Sequence, residues 1–213
     1  MRIAILLPFK EDYSPKYAGA VSIHVSSLLK YSKFKKTTIV YGNTNKNKYL
    51  SSNFKNIQIS SNILSSNNKK YLQKFINLNK NDNPEIVEIH NRPSYVETIK
   101  ISLNSKIILY FHNNPITISG SKSKIERLKL LDKCEFIFFN SNWTKNQFFK
   151  EIDENNYISK FGICFQSSKK TIVNIRRKQN IITFVGKLNS AKGYDIFGQS
   201  IIKILNEFPN WKS

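Results

Sequence analysis

Short, nearly continuous apolar runs alternate along this chain with segments whose apolar residues repeat at helical spacing. Residues 2–8 (RIAILLP), 37–41, 86–89, 106–111 (KIILYF) and 135–139 (EFIFF) are such runs. A run apolar at every position marks a strand of a parallel sheet, covered by helices on both faces. Helices are predicted between the runs. One starts at Ala18-Gly19-Ala20 and reaches about Tyr31, with Val21, Val25, Leu28 and Leu29 inward. A second covers 68–80, with Tyr71, Leu72, Phe75, Ile76 and Leu78 as its buried side. Pro93 suits the first turn of a third, over 94–103. Ser123 and Glu126 form a capping box for a fourth that ends at Lys133, and Ser141 caps a short one through Phe149. Shorter strands are expected at 56–60 and 157–161. This alternation predicts an α/β fold: a Rossmann-like, doubly wound, mostly parallel sheet.

The pattern breaks at 166–180, which lacks apolar periodicity and carries Lys169, Lys170, Arg176, Arg177 and Lys178. It restarts at Ile181 with ITFV, Gly186, Lys187, a short loop holding Lys192, and a helix over 194–208. The expected organisation is an N-terminal Rossmann-like domain over 1–165, a linker over 166–180, and the first strand–helix unit of a second such domain over 181–213. A strand that feeds a glycine turn and a helix N-terminus gathers unpaired N–H groups at one spot and favours an anion there. Lys187 and Lys192 add full charges. One strand and one helix do not bury both their faces alone, so the 213 residues read as one complete domain and the opening of another.

Composition changes this picture little. The formal charge is +20, but of 34 basic residues only Arg2, Arg92, Arg127, Arg176 and Arg177 are arginine. The lysines are scattered among Asn, Ile and Ser, as on a solvated surface; a basic face resting on anionic lipid is the other reading. Interleaved aromatic platforms of the kind that hold single-stranded nucleic acid are missing, so no nucleic-acid partner is expected. Cys134 and Cys164 lack ligand spacing and read as reduced thiols of a cytoplasmic protein. The first ten residues do not have the pattern of a signal peptide, and no run is long enough for a membrane span.

Ligands of such sheets bind beyond the carboxyl ends of the strands. Gly19, the stretch His90-Asn91-Arg92-Pro93 and the stretch His112-Asn113-Asn114-Pro115 all fall there. Gly19 permits close backbone approach to a phosphate or sugar, or simply starts a helix. His90 and His112 each follow a strand and are poised to donate a hydrogen bond or a proton, unless they pair with backbone at the rim. His24 lies inside the first helix and reads as structural. The three histidines lack metal-site spacing, so no metal is expected. The first loop, PFKEDY, is nothing like the glycine fingerprint of nicotinamide enzymes, and there is no Walker loop or nucleophile elbow.

With these features placed, the chain resembles GT-B glycosyltransferases, specifically the retaining family 4 group. The resemblance rests most on Phe184-Val185-Gly186-Lys187-Leu188 with Ala191-Lys192-Gly193-Tyr194-Asp195. It implies that Gly186, Lys187 and Lys192 bind the diphosphate of a nucleotide sugar; lysine stands where arginine is common, so a point charge replaces a fork. Gly19 corresponds to the family's glycine-rich first loop and joins that donor set. His112, in Tyr110-Phe111-His112-Asn113, is implied as the residue that hydrogen-bonds the transferred sugar near the reacting centre. His90, Asn91 and Arg92 look like acceptor-side loop residues. The implied activity is transfer of a sugar, with retention, from a nucleotide-diphospho-sugar to a saccharide or lipid-linked acceptor. No cofactor or metal is implied, because the lysines and helix N-termini stabilise the leaving group. The implied setting is cell-surface polysaccharide or lipopolysaccharide synthesis, in the cytoplasm or on the inner face of the plasma membrane. The 213 residues alone are expected to transfer sugar weakly or not at all. The alternative is a Rossmann-like binding protein without catalysis that contacts anionic membrane or polyanion through its basic surface.

Overall fold

The computed structural model describes residues 1–59, 66–167, 172, 178–186 and 188–213. The chain divides into two compact units, Met1–Ser167 and Ser168–Ser213.

The first unit is built on seven parallel strands: β1 (Ile3–Leu6), β2 (Thr38–Gly42), β3 (Phe54–Asn56), β4 (Ile86–His90), β5 (Lys106–Phe111), β6 (Phe136–Phe139) and β7 (Phe161–Ile163). Their order across the sheet is β3-β2-β1-β4-β5-β6-β7. The chain winds outward from β1 to β3, returns to β1's other side as β4, and winds outward again. The two halves therefore diverge at the carboxyl ends of β1 and β4, which opens a crevice there.

Strand alternation decides what each face holds. Ala4 and Leu6 join a core with Val87, Ile89, Ile107, Leu109, Phe111, Ile137 and Phe139. That core is covered by α2 (Asn67–Asn79), α3 (Val96–Ser102), α4 (Lys124–Lys133) and α5 (Asn142–Phe148). Emptying the fully buried Phe139 to alanine would cost about 3–5 kcal/mol. Ile5, Leu7 and Val40 point the other way, onto Val21, Val25 and Leu29 of α1 (Ala20–Tyr31). Register carries this second face to Glu88, opposite Ile5, and then to Ile108 on β5.

Most predicted elements appear within a residue or two, and the Ser123–Glu126 capping box is formed. Four expectations are corrected. The strand expected at 56–60 lies at β3, where residues 54–56 reach β2, while Ile57 is buried beyond it. Residues 154–160 form a 3-10 turn held by the Asp153 cap, and the strand begins only at Phe161. Leu28 and Leu78 are exposed at the margins of their helices' apolar stripes. In the second unit, residues 181–185 form no strand: Ile181 makes a single parallel bridge to Lys212. No other segment among the described residues of that unit offers a ladder partner, and Val185 is 90% exposed. The helix that follows, α6 (Tyr194–Glu207), is present.

Among the described residues, no helix is long and apolar enough to cross a membrane.

Candidate functional site

All three histidines of the sequence meet at the crevice. His90 ends β4 and sits opposite Tyr110 of β5. Because side chains alternate, Glu88 and His90 share one face of the sheet, and so do Tyr110 and His112. His24 comes from α1, its ring 5.0 Å from that of Tyr110 and 5.3 Å from that of His112. The rings of His90, Tyr110 and His112 stack, with centroids 4.4–5.3 Å apart.

A line of hydrogen bonds runs through this stack. Glu88 Oε1 lies 2.7 Å from His90 Nε2, and His90 Nδ1 lies 2.8 Å from His112 Nε2. His112 Nδ1 lies 3.2 Å from the amide nitrogen of Gln166. Tyr110 takes no part, since its hydroxyl donates to the Cys164 carbonyl at 2.5 Å. His24 Nε2 is buried without a hydrogen-bond partner. A pocket of about 220 Å³ adjoins the line, walled by Ala20, Ile23 and His24 of α1 and by Phe165, Gln166 and Ser167.

Burial, reinforced by His90 and His24, pushes the His112 imidazole down to about 2, so it is neutral throughout the ordinary pH range. Burial also lowers His24. His90 and His112 bond directly to each other, so neither ring nitrogen of that pair is free to bind a cation. Among the described residues no group of His, Cys, Asp or Glu is placed to hold a metal ion.

Asn91 fixes the geometry of the two strand ends. Its backbone lies in the left-handed region, φ 52°, which asparagine tolerates better than most residues. Its N–H donates to the Tyr110 carbonyl, and its side-chain oxygen accepts from the N–H groups of His112 (2.8 Å) and Asn113 (3.3 Å). Asn140, after β6, donates to the His112 carbonyl at 2.8 Å. The His112 backbone is thus held from both neighbouring strands. Arg92 is half-buried, and its guanidinium donates to the Asn91 carbonyl at 2.7 Å.

The donor-side residues divide between the units. Gly19 caps α1, but the space beside it is filled. A Cβ there would lie 2.5 Å from the Glu11 carboxylate. The same carboxylate accepts from the N–H of Ser22 at 2.9 Å. Glu11 therefore stands at the helix N-terminus where an anion would be expected. In the second unit, Lys192 closes a 3-10 turn ahead of Gly193 (φ 72°), which opens α6. Gly186 lies against this turn: a Cβ on it would lie 3.6 Å from that of Lys192 and 3.1 Å from the Phe184 ring. Lys187 falls outside the described residues, as does most of the basic cluster expected in the linker.

The structure therefore brings His90, Asn91 and His112 together, joins Glu88 and Gln166 to them, and sets Glu11 beside Gly19; the last three were not singled out from the sequence. A signal for Glu88 was present: it is a lone charge inside an apolar strand, two residues before a histidine. Such a charge persists only with a partner.

No family model matches the sequence, and no curated protein matches it. Several solved structures do match in shape. Anabaena Alr3699/HepE, in complex with UDP and glucose, aligns at TM-score 0.63 and 10% identity, over 95% of this chain and 58% of that one. The S. aureus MnaA–UDP co-structure aligns at TM-score 0.58 and 11% identity, over 99% and 61%. The lipopolysaccharide outer core galactosyltransferase WaaB, in its apo form, aligns at TM-score 0.56 and 19% identity, over 85% and 51%. At these identities the likeness shows the fold, the Rossmann-like α/β sheet of GT-B proteins. The chain spans about half to three fifths of the length of these structures.

Proposed function

We propose that the chain belongs to a GT-B glycosyltransferase of the retaining family 4 type, in which it forms the acceptor-side domain and the opening of the donor domain. The reaction is transfer of a sugar from a nucleotide-diphospho-sugar to a saccharide or lipid-linked acceptor. The observation that carries this reading is the buried, neutral His112 at the carboxyl edge of the sheet. There Asn91 and Asn140 hold its backbone, and its neighbours His24 and Gln166 wall a pocket. A neutral imidazole suits a sugar, because it can hydrogen-bond a hydroxyl without bringing a second cation to an oxocarbenium-like centre. The fold it shares with a structure holding UDP and glucose supports the same class of donor.

In this reading His112 contacts the transferred sugar, and His90, Asn91 and Arg92 shape the acceptor side. Gly186, Lys187 and Lys192 face the diphosphate, and no metal is required. Gly19 joins them only if the phosphate displaces Glu11. Cell-envelope polysaccharide or lipopolysaccharide synthesis is the setting, with the protein in the cytoplasm and resting on anionic membrane. Support for that contact comes from Lys16, Lys46 and Lys48, which surround the exposed Tyr17, with the Lys46 ammonium 4.4 Å over its ring.

Calorimetric titration with a panel of nucleotide-diphospho-sugars tests the proposal. One member is expected to bind, and Lys192→Ala to weaken it about tenfold or more through loss of a charge-assisted contact. Absence of binding by every member would overturn it. Where transfer is measurable, His112→Ala should lower turnover more than donor affinity.

A further inference from the structure

The line from Glu88 to Gln166 has a direction, and the direction follows from what each end is able to do. An ionised carboxylate only accepts, so the proton between Glu88 and His90 belongs to His90 Nε2. A neutral imidazole holds one proton, which leaves His90 Nδ1 bare. The 2.8 Å contact between the two rings needs one proton, and it then sits on His112 Nε2. His112, buried and neutral, is left with a bare Nδ1, and the Gln166 amide nitrogen donates to it. Every group in the line is satisfied by this arrangement, with the Gln166 amide as placed. The opposite arrangement, with a cationic His90 donating at both ends, would put the proton of His112 on Nδ1 and need the Gln166 amide turned over, its oxygen toward the ring.

The other titratable groups around the rings do not interfere. Tyr110 spends its proton on the Cys164 carbonyl, the Cys164 thiol is free, and His24 meets His112 ring to ring, with no hydrogen bond between them. A free histidine side chain favours the Nε2–H form only modestly, so both neutral forms are populated without a fixed partner. A charge-assisted bond at one end is strong enough to bias the line about tenfold or more.

We infer that Glu88 and His90 are positioning residues: they keep the proton of His112 on Nε2 and so present its Nδ1 as a hydrogen-bond acceptor for a sugar hydroxyl. The Gln166 amide occupies that acceptor in this structure and would be replaced by the ligand's hydroxyl. The inference rests on the proposed contact between His112 and the sugar. It adds Glu88 to the site, has His90 act through His112, and specifies that His112 accepts rather than donates.

The chain has three histidines, so the imidazole ¹⁵N spectrum of the histidine-labelled protein resolves each ring. At neutral pH the wild type is expected to show His90 and His112 both protonated on Nε2. A proton on Nδ1 of His112 would overturn the inference, whatever any variant does. Glu88→Ala, with folding checked by circular dichroism, removes the acceptor that sets the direction. The two nitrogen lines of His112 should then move toward each other as both neutral forms become populated. Lines unchanged in a folded Glu88→Ala variant would also overturn it. The spectrum needs no nucleotide sugar, so it fails separately from the proposed function: correct protonation with no response to any nucleotide sugar would remove the function and leave the positioning intact.

Discussion

Lowering the pH from 7 to 5 should destabilise the N-terminal unit by about 2 kcal/mol through His112 alone. In the unfolded chain this histidine titrates near 6.5. In the folded chain burial, with His90 and His24 beside it, pushes it down to about 2. The folded state therefore binds fewer protons than the unfolded state wherever the pH lies between those values. Stability is full above about 6.5 and falls by about 1.4 kcal/mol per pH unit below it. The interval from 7 to 5 contains about a unit and a half of that slope. The result depends only on the folded value lying well below 5. His24, lowered for the same main reason, acts in the same direction. Glu126, lowered chiefly by its bond from the Ser123 N–H, contributes only below about pH 4.5, outside the interval. Urea unfolding at pH 7, 6 and 5 measures the effect. The two tryptophans are Trp143 in the first unit and Trp211 in the second, so Trp211→Phe leaves a probe of the first unit alone. His112→Gln, which does not titrate, should recover about 2 kcal/mol of the loss. If His112→Gln kept the full pH dependence of the parent, the buried neutral histidine would be the wrong description.

Asn91→Ala should cost about 2–4 kcal/mol, since it strips the partner from two N–H groups and leaves alanine at φ 52°. Asn91→Asp keeps the acceptor and should recover much of this; a loss under about 1 kcal/mol for alanine would refute the role. Glu11→Ala should cost about 1 kcal/mol as a lost cap at the start of α1. If a diphosphate competes with that carboxylate beside Gly19, the same variant should bind nucleotide sugar more tightly; weaker binding would contradict competition. In the native protein iodoacetamide should modify Cys164 and spare Cys134, which is buried and whose thiol burial pushes up to about 12. Labelling of Cys134 at an equal rate, read by mass spectrometry, would refute this.

The sheet was legible because its strands are apolar at nearly every position, and because Pro93, Ser123 and Ser141 mark helix starts in ways that need no tertiary context. The failures have the opposite character. Residues 56–60 alternate like a strand, yet pairing with β2 selects residues 54–56, and pairing is not written in one segment. Residues 181–185 have strand composition, but a parallel strand exists only beside another, and Lys212 offers a single bridge. The site divides in the same way. His90 and His112 were found because each directly follows a strand and so falls at the carboxyl edge. His24 looked structural because its helix gives no hint that β5 passes 5.0 Å from its ring. Gln166 sat in a segment without periodicity, which conceals that its amide reaches back across the sheet edge to His112. Glu11 was one charge in a polar loop, and only the path of that loop brings it to Gly19.

If His112 receives the sugar of a nucleotide-diphospho-sugar, its imidazole ¹⁵N resonances report the contact directly. The chain is titrated with whichever member of the nucleotide-sugar panel binds and, separately, with the matching nucleoside diphosphate. The nucleotide sugar should shift the Nδ1 resonance as a hydroxyl replaces the Gln166 amide, while the nucleoside diphosphate alone leaves it in place. A His112 resonance that stays fixed while the nucleotide sugar demonstrably binds would show that His112 does not receive the sugar.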